Sequence, residues 1–223
     1  MKSFFYFTCL MLSFCLIAVS CNNSTPGEAA KTEEAKETAS APAAAQTFVV
    51  DAASSGITWT GGKPTGATHT GTIKITSGEF AVENGEVASG TMVIDMNSIE
   101  NTDLTPEDGK EKLEGHLKSE DFFDVAKFPT ATFAISSIEK VSDNPNVTHR
   151  ITGNLTMKGA TKSITFDSNV AVLDNQLTAV SPSFTINRTE WGVNHKSGIL
   201  GTIKDQLIND DIALNINLKA VPQ

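Results

Sequence analysis

Beyond position 21 the chain contains no cysteine, because its three, Cys9, Cys15 and Cys21, all lie near the N-terminus. That excludes a disulfide framework, a thiolate metal site and a cysteine nucleophile downstream, so stability must come from a packed core. Basic charge is also scarce. Lys and Arg number 17 against 26 Asp and Glu, a formal net charge of -9. Such a surface argues against nucleic acid and against electrostatic adhesion to anionic lipid, both of which reward clustered cations. Catalytic signatures are missing too: there is no GxSxG elbow, no phosphate-cradling glycine loop and no HExxH. The carboxylate pairs Glu107-Asp108, Glu120-Asp121 and Asp210-Asp211 read as solvated turns and caps. His69, His116, His149 and His195 sit on separate segments, none paired at a ligand spacing. A site that folding assembles from His69, His116 and His195 with a nearby acid stays open as an alternative, whereas His116 by itself suits the helix end, where it hydrogen-bonds and complements the dipole. These absences point to a non-enzymatic protein without cofactor or metal.

One long apolar run is present, at the start. Lys2 supplies a basic lead, and Phe4 to Val19 is almost wholly apolar, short for a bilayer span and ending in small residues. Residues 1–20 therefore read as a secretory signal that is removed. Ala18, Val19, Ser20 and Cys21 resemble a bacterial lipobox, with Ala18 where Leu is usual. Diacylation of Cys21 explains a lone thiol in an exported chain, and two acyl chains anchor firmly at about 0.8 kcal/mol per buried methylene. An ordinary secretory signal cleaved nearby is the alternative. Loss of Lys2 moves the formal charge to -10.

From Asn22 to Gln46 there is no aromatic or large aliphatic residue. Residues 21–46 thus read as a lipidated cysteine and a solvated tether with a reach on the order of 25 to 30 Å. Residues 47–223 then form one domain, and the expected location is the bacterial envelope, periplasm-facing and membrane-anchored.

Within that domain the dominant period is two. In Asp211 to Ala220, Ile212, Leu214, Ile216 and Leu218 share one face, and Ala213, Asn215, Asn217 and Lys219 the other. Met92, Ile94 and Met96 repeat the pattern, as do Phe133 with Ile135, Ile151 through Leu155 to Met157, Ile164 with Phe166, and Phe184 with Ile186. Ser77-Gly78, Asn84-Gly85, Asp143-Asn144-Pro145, Lys158-Gly159, Asp174-Asn175 and Ser181-Pro182 read as hairpin connections. The sum is an all-β barrel or sandwich of about eight strands. One helix interrupts it: Thr105 is the expected N-cap, Pro106 the first helical residue, Leu113 and Leu117 share a face, and Phe128-Pro129 restores extended chain.

Leu113 to Phe133, LEGHLKSEDFFDVAKFPTATF, resembles the signature segment of the YceI-like family. The likeness extends to His69 through Ile73, Ile94 through Ile99, Gly153 through Lys162, and Phe184 through Val193. Ser54-Ser55 departs from it, standing where many members carry a histidine. The resemblance implies an extended antiparallel lipocalin-like β-barrel that binds a polyisoprenoid or isoprenoid quinone, and the lipobox-like Cys21 adds the membrane as a further expected partner through the acylated N-terminus.

Physics agrees with a dry interior. The candidate lining, in the barrel or at its mouth, is Trp59, Met92, Ile94, Met96, Phe122, Phe123, Phe133, Ile135, Leu155, Met157, Phe166, Phe184, Ile186, Arg188, Trp191, Ile212, Leu214 and Ile216. Met92, Met96 and Met157 are flexible enough to repack around an irregular chain, or they fill an ordinary core. Arg188 shares the face of Phe184 and Ile186, so its guanidinium meets either a ligand headgroup or a carboxylate such as Asp95 or Glu190. Trp191 either packs at the rim with its indole nitrogen toward water or closes the barrel end. The helix and Phe122-Phe123 read as a cover. The alternative function is an envelope stress or interaction protein whose interior is only core.

Overall fold

A computed structural model describes residues 27–142, 144–201 and 206–223, so the signal segment, Cys21 and Asp143 lie outside the described residues. In chain order the elements are β1 (Glu28–Ala29), β2 (Lys31–Glu34), β3 (Gln46–Val50), β4 (Gly56–Gly62), β5 (Thr68–Glu83), β6 (Glu86–Asn101), α1 (Lys110–Lys118), β7 (Thr130–Lys140), β8 (His149–Met157), β9 (Ala160–Leu173), β10 (Gln176–Val180), β11 (Phe184–Asn187) and β12 (Asp211–Pro222). Strands β5 to β10 pair antiparallel in sequence order, β10 and β11 both pair with β12, and β12 returns to β3 and β4, which pair with β5. The sheet closes into a ring of 8 strand positions.

Local chemistry explains the hairpins. Asn84-Gly85, Lys158-Gly159 and Asp174-Asn175 all have positive φ at both residues, the backbone that two-residue hairpins of the correct twist require. Two expected turns fall elsewhere. Ser77-Gly78 lies inside β5, beside a register shift between Ile75 and Ser77, so it bends a strand instead of ending one. A side chain at Gly78 would meet the carbonyl of Thr91 at 2.5 Å, which is why that position is bare. Ser181-Pro182 separates β10 from β11, yet these do not pair with each other; they lie end to end along β12. Strands β3 and β4 are broken the same way along that partner. A buried serine stitches each gap: Ser55 Oγ accepts from Lys219 N at 2.9 Å, and Ser181 Oγ accepts from Ile216 N at 2.9 Å.

The segment expected to be a loose tether is instead wall. Strand β2 pairs antiparallel with Lys162–Thr165 of β9, and β1 pairs parallel with β11, so residues 28–34 fill the space between those two strands. Farther on, Asn154 grips Lys36 through two hydrogen bonds, and the N–H of Ala39 donates to the carbonyl of Ile135 at 2.8 Å. The folded unit therefore begins well before residue 47.

The helix also starts later than expected. Thr105 caps a turn, its Oγ1 bonding Asp108 Oδ2 at 2.8 Å, and α1 begins only after Gly109, whose φ of 95 breaks the run. No residue of α1 is fully buried. Its inward stripe is Leu113 and Leu117, and the turn behind it drives Phe122, Phe123 and Val125 into the core. This segment covers one end of the ring, while Asn84-Gly85 and Asp174-Asn175 mark the opposite, hairpin end.

Candidate functional site

Every proposed lining residue except Ile212 and Leu214 is buried. Those two are half-buried, and Ala213, assigned to the outer face, is buried between Thr60 and Thr185, its partners in register. The interior is dominated by an aromatic column. Phe166 stacks on Phe184 with centroids 4.5 Å apart, and Phe133 leans on Phe166 at 5.8 Å.

Only part of this core borders open space. A narrow cavity of about 40 Å³ is lined by Met92, Phe133, Ile135, Phe166 and Ile216 from the expected set. The remaining lining residues are Phe80, Val87, Ile138, Ile151, Ser168, Val170, Leu177, Ala179 and Leu218. Ser168 is the single polar member. The cavity shares Val87 and Val170 with a larger cleft of about 510 Å³ at the hairpin end, where Leu173 is 70 % exposed. The cavity thus lies toward the hairpin end, away from the helix. Trp59, Ile94, Met96, Phe122, Phe123, Leu155, Met157, Phe184, Ile186 and Trp191 are core or cover and do not border the cavity. The indole N–H of Trp59 is buried with no hydrogen-bond partner among the described residues.

At the covered end the polar groups have structural partners. Arg188, 1 % exposed, opens the 3-10 turn Arg188–Trp191 and donates to the carbonyls of Asn209, Val193 and Ile208. Its charge is met at 3.1 Å by Asp210, which also accepts from Ser197 Oγ at 2.8 Å. The carboxylate is therefore neither Asp95 nor Glu190, and Asp210 is no mere solvated cap. Burial pushes the Arg188 pKa down, and Asp210 pulls it back. Trp191 closes the end: it is buried, and its Nε1 donates to the carbonyl of Leu155 at 2.9 Å. Lys158 Nζ secures the cover from beneath by donating to the backbone carbonyls of Glu120 and Phe122.

Folding brings together two of the three histidines singled out in the sequence. His116 and His195 meet edge-on at 4.8 Å between centroids, with Asp121 beside both, whereas His69 stands apart, bonded to Asp103 at 2.9 Å. His149 is buried between Thr148 and Glu86.

A closed, almost wholly antiparallel ring of strands with a capped end and a dry interior defines a β-barrel fold. The YceI-like domain model matches residues 48–220, and the chain belongs to the YceI-like family. The Protein YceI of Salmonella arizonae and that of Salmonella newport are each 35% identical over 102 residues, covering 45% of this chain and 48% of the relative. The match thus spans about half the length of these curated relatives. Among solved structures, Burkholderia cenocepacia BcnA superposes with a TM-score of 0.57 at 23% identity, covering 76% of this chain and 98% of that one. A polyisoprenoid binding domain from Saccharophagus degradans does so at 0.56 and 14% identity, covering 80% and 99%. Both likenesses establish the fold.

Proposed function

We propose that this protein is a non-enzymatic carrier or sequestrant of a long apolar amphiphile, a polyisoprenoid or isoprenoid quinone, held at an envelope membrane by acylated Cys21. The observation that carries this reading is the interior cavity: fourteen lining residues, only Ser168 polar, lying beside a cleft at the hairpin end. Apolar burial at about 25 cal/mol per Å² supplies affinity, while headgroup fit and cavity length set selectivity. The structural neighbour from Saccharophagus degradans is itself a polyisoprenoid binding domain.

Anchoring suits this geometry. Strand β1 runs parallel to β11 toward the covered end, so the chain enters it from the side of the hairpin end. Cys21 lies seven residues before Glu28, a reach of at most about 25 Å, so an acyl anchor there would hold the barrel close to the bilayer.

One observation favours a second reading, in which the interior is only core. A cavity of about 40 Å³ is far below the roughly 300–1,000 Å³ of a usual ligand pocket. Uptake therefore requires side chains such as Met92 and Phe166 to repack. Organic extraction of the purified protein with mass spectrometry of the extract, followed by titration with an isoprenoid quinone, separates the two. Co-purified isoprenoid or saturable uptake supports the carrier; an empty protein that takes up no quinone establishes the filled core.

A further inference from the structure

We propose that His116, Asp121 and His195 form a binding site for a single divalent transition-metal ion of the zinc type, set in the cover of the closed end. The three side chains present ligand atoms that all lie within 4.8 Å of one another. His116 Nε2 is 3.5 Å from Asp121 Oδ2, and His195 Nδ1 is 3.9 Å from Asp121 Oδ1. Two imidazole nitrogens and one carboxylate oxygen are the donor set of a three-ligand zinc site with an open position for water.

The geometry needs little adjustment. Ligands about 2.0–2.1 Å from a tetrahedral ion stand about 3.4 Å apart, so the 3.5 Å contact of His116 with Asp121 already fits and the widest separation must contract by about 1.4 Å. Asp121 is 55% exposed and His116 38%, so both have freedom to close in. The site is also framed. Phe122 packs against both imidazoles, at 5.0 Å from His116 and 5.3 Å from His195, fixing their planes.

The arrangement is unexplained as ordinary structure. The two rings approach edge-on, though two imidazolium charges at that distance would repel. His195 makes no close hydrogen bond through Nδ1, and its Nε2 is buried with no partner among the described residues, so the hydrogen-bonding capacity of the ring is unused. The other two histidine–acid contacts bring one imidazole each: His69 with Asp103, and His149 with Glu86.

His116 and Asp121 belong to the cover segment, while His195 belongs to the loop after the 3-10 turn, 79 positions away. A bound ion would clip the two together. The site stands independently of any interior lipid.

The test is calorimetric titration of the EDTA-treated full protein with Zn²⁺, without a histidine tag, alongside Co²⁺ absorption spectra. One ion per chain, tetrahedral Co²⁺ bands and a chelator-reversible rise in Tm are expected. Asp121→Asn and His195→Gln should each weaken binding at least about tenfold, while His69→Gln and His149→Gln leave it unchanged. Asp121 is exposed enough that Asp121→Asn should fold normally, which circular dichroism checks. Absence of stoichiometric binding to the wild type, or binding that survives Asp121→Asn and His195→Gln, overturns the proposal. So does binding abolished by a substitution at His69 or His149.

Discussion

Arg188→Met tests whether the most buried charge among the described residues is architecture or a headgroup receptor. The guanidinium is 1 % exposed and ties together three backbone carbonyls, at Val193, Ile208 and Asn209, and the carboxylate of Asp210. Met matches much of its length but donates nothing. Breaking a buried charged pair from one side typically costs about 3–5 kcal/mol, because the partners are left desolvated. Asp210 is 24% exposed and recovers some water and the Ser197 hydroxyl, which places the expected loss toward the lower end of that range. For a domain of this size each kcal/mol moves Tm by about 2–4 °C, so a fall of roughly 6–12 °C is expected. Asp210→Asn keeps the three carbonyl acceptors in place and should cost less. Thermal unfolding followed by near-UV circular dichroism, with denaturant melts for the free energy, measures both. A loss below about 1 kcal/mol for Arg188→Met would refute the structural assignment. So would full stability combined with lost quinone uptake, which would make Arg188 a ligand contact.

Two further outcomes follow from the described contacts. Glu33→Pro removes a backbone N–H in the middle of β2 that faces Ser163 of β9, and should cost about 1–3 kcal/mol in a denaturant melt; a neutral result would mean that residues 28–34 are tether after all. Burial raises the Asp103 pKa, but hydrogen bonds from His69, the Thr70 N–H and Asn101 outweigh it and hold the group below its ordinary 3.8. The unfolded chain therefore binds the proton more readily, so the stabilisation is complete above about pH 4 and disappears as pH falls through the lowered native value. Wild type should accordingly lose stability faster than Asp103→Asn between about pH 4 and pH 2, and parallel curves would contradict the assignment.

The strands and their two-residue turns were legible because both signals are local. Alternation at Met92, Ile94 and Met96 marks a face without reference to the rest of the chain, and Asn84-Gly85 adopts positive φ on its own account. Signals that depend on a distant partner misled. Ser181-Pro182 has the composition of a hairpin turn, but its flanking strands find β12 instead of each other. The cavity lining was likewise only partly readable, since inward direction is a property of the strand and an unfilled gap is a property of the closed ring. Met92 borders the gap and Met96, on the same face of the same strand, does not. His116 and His195 could be named as candidates, but their meeting at Asp121 is a product of the fold alone.

The N-terminal segment shows why composition fails as a guide to order. Its Ala, Glu, Lys and Thr offer little apolar surface, of which Ala30 and Ala39 pack against the core, and an isolated chain of that kind does not recover its ordering entropy. Inside a nearly closed ring the terms change. The edges of β9 and β11 would expose unpaired N–H and C=O groups, and any backbone inserted between them satisfies both. What selects these residues is then compatibility with solvent on the outer face, which Lys31, Glu33 and Glu34 provide, with Glu33 held near pKa about 2 by hydrogen bonds from Lys31 and Lys36. A polar strand of this kind closes the wall by backbone pairing and leaves the apolar core to the strands around it.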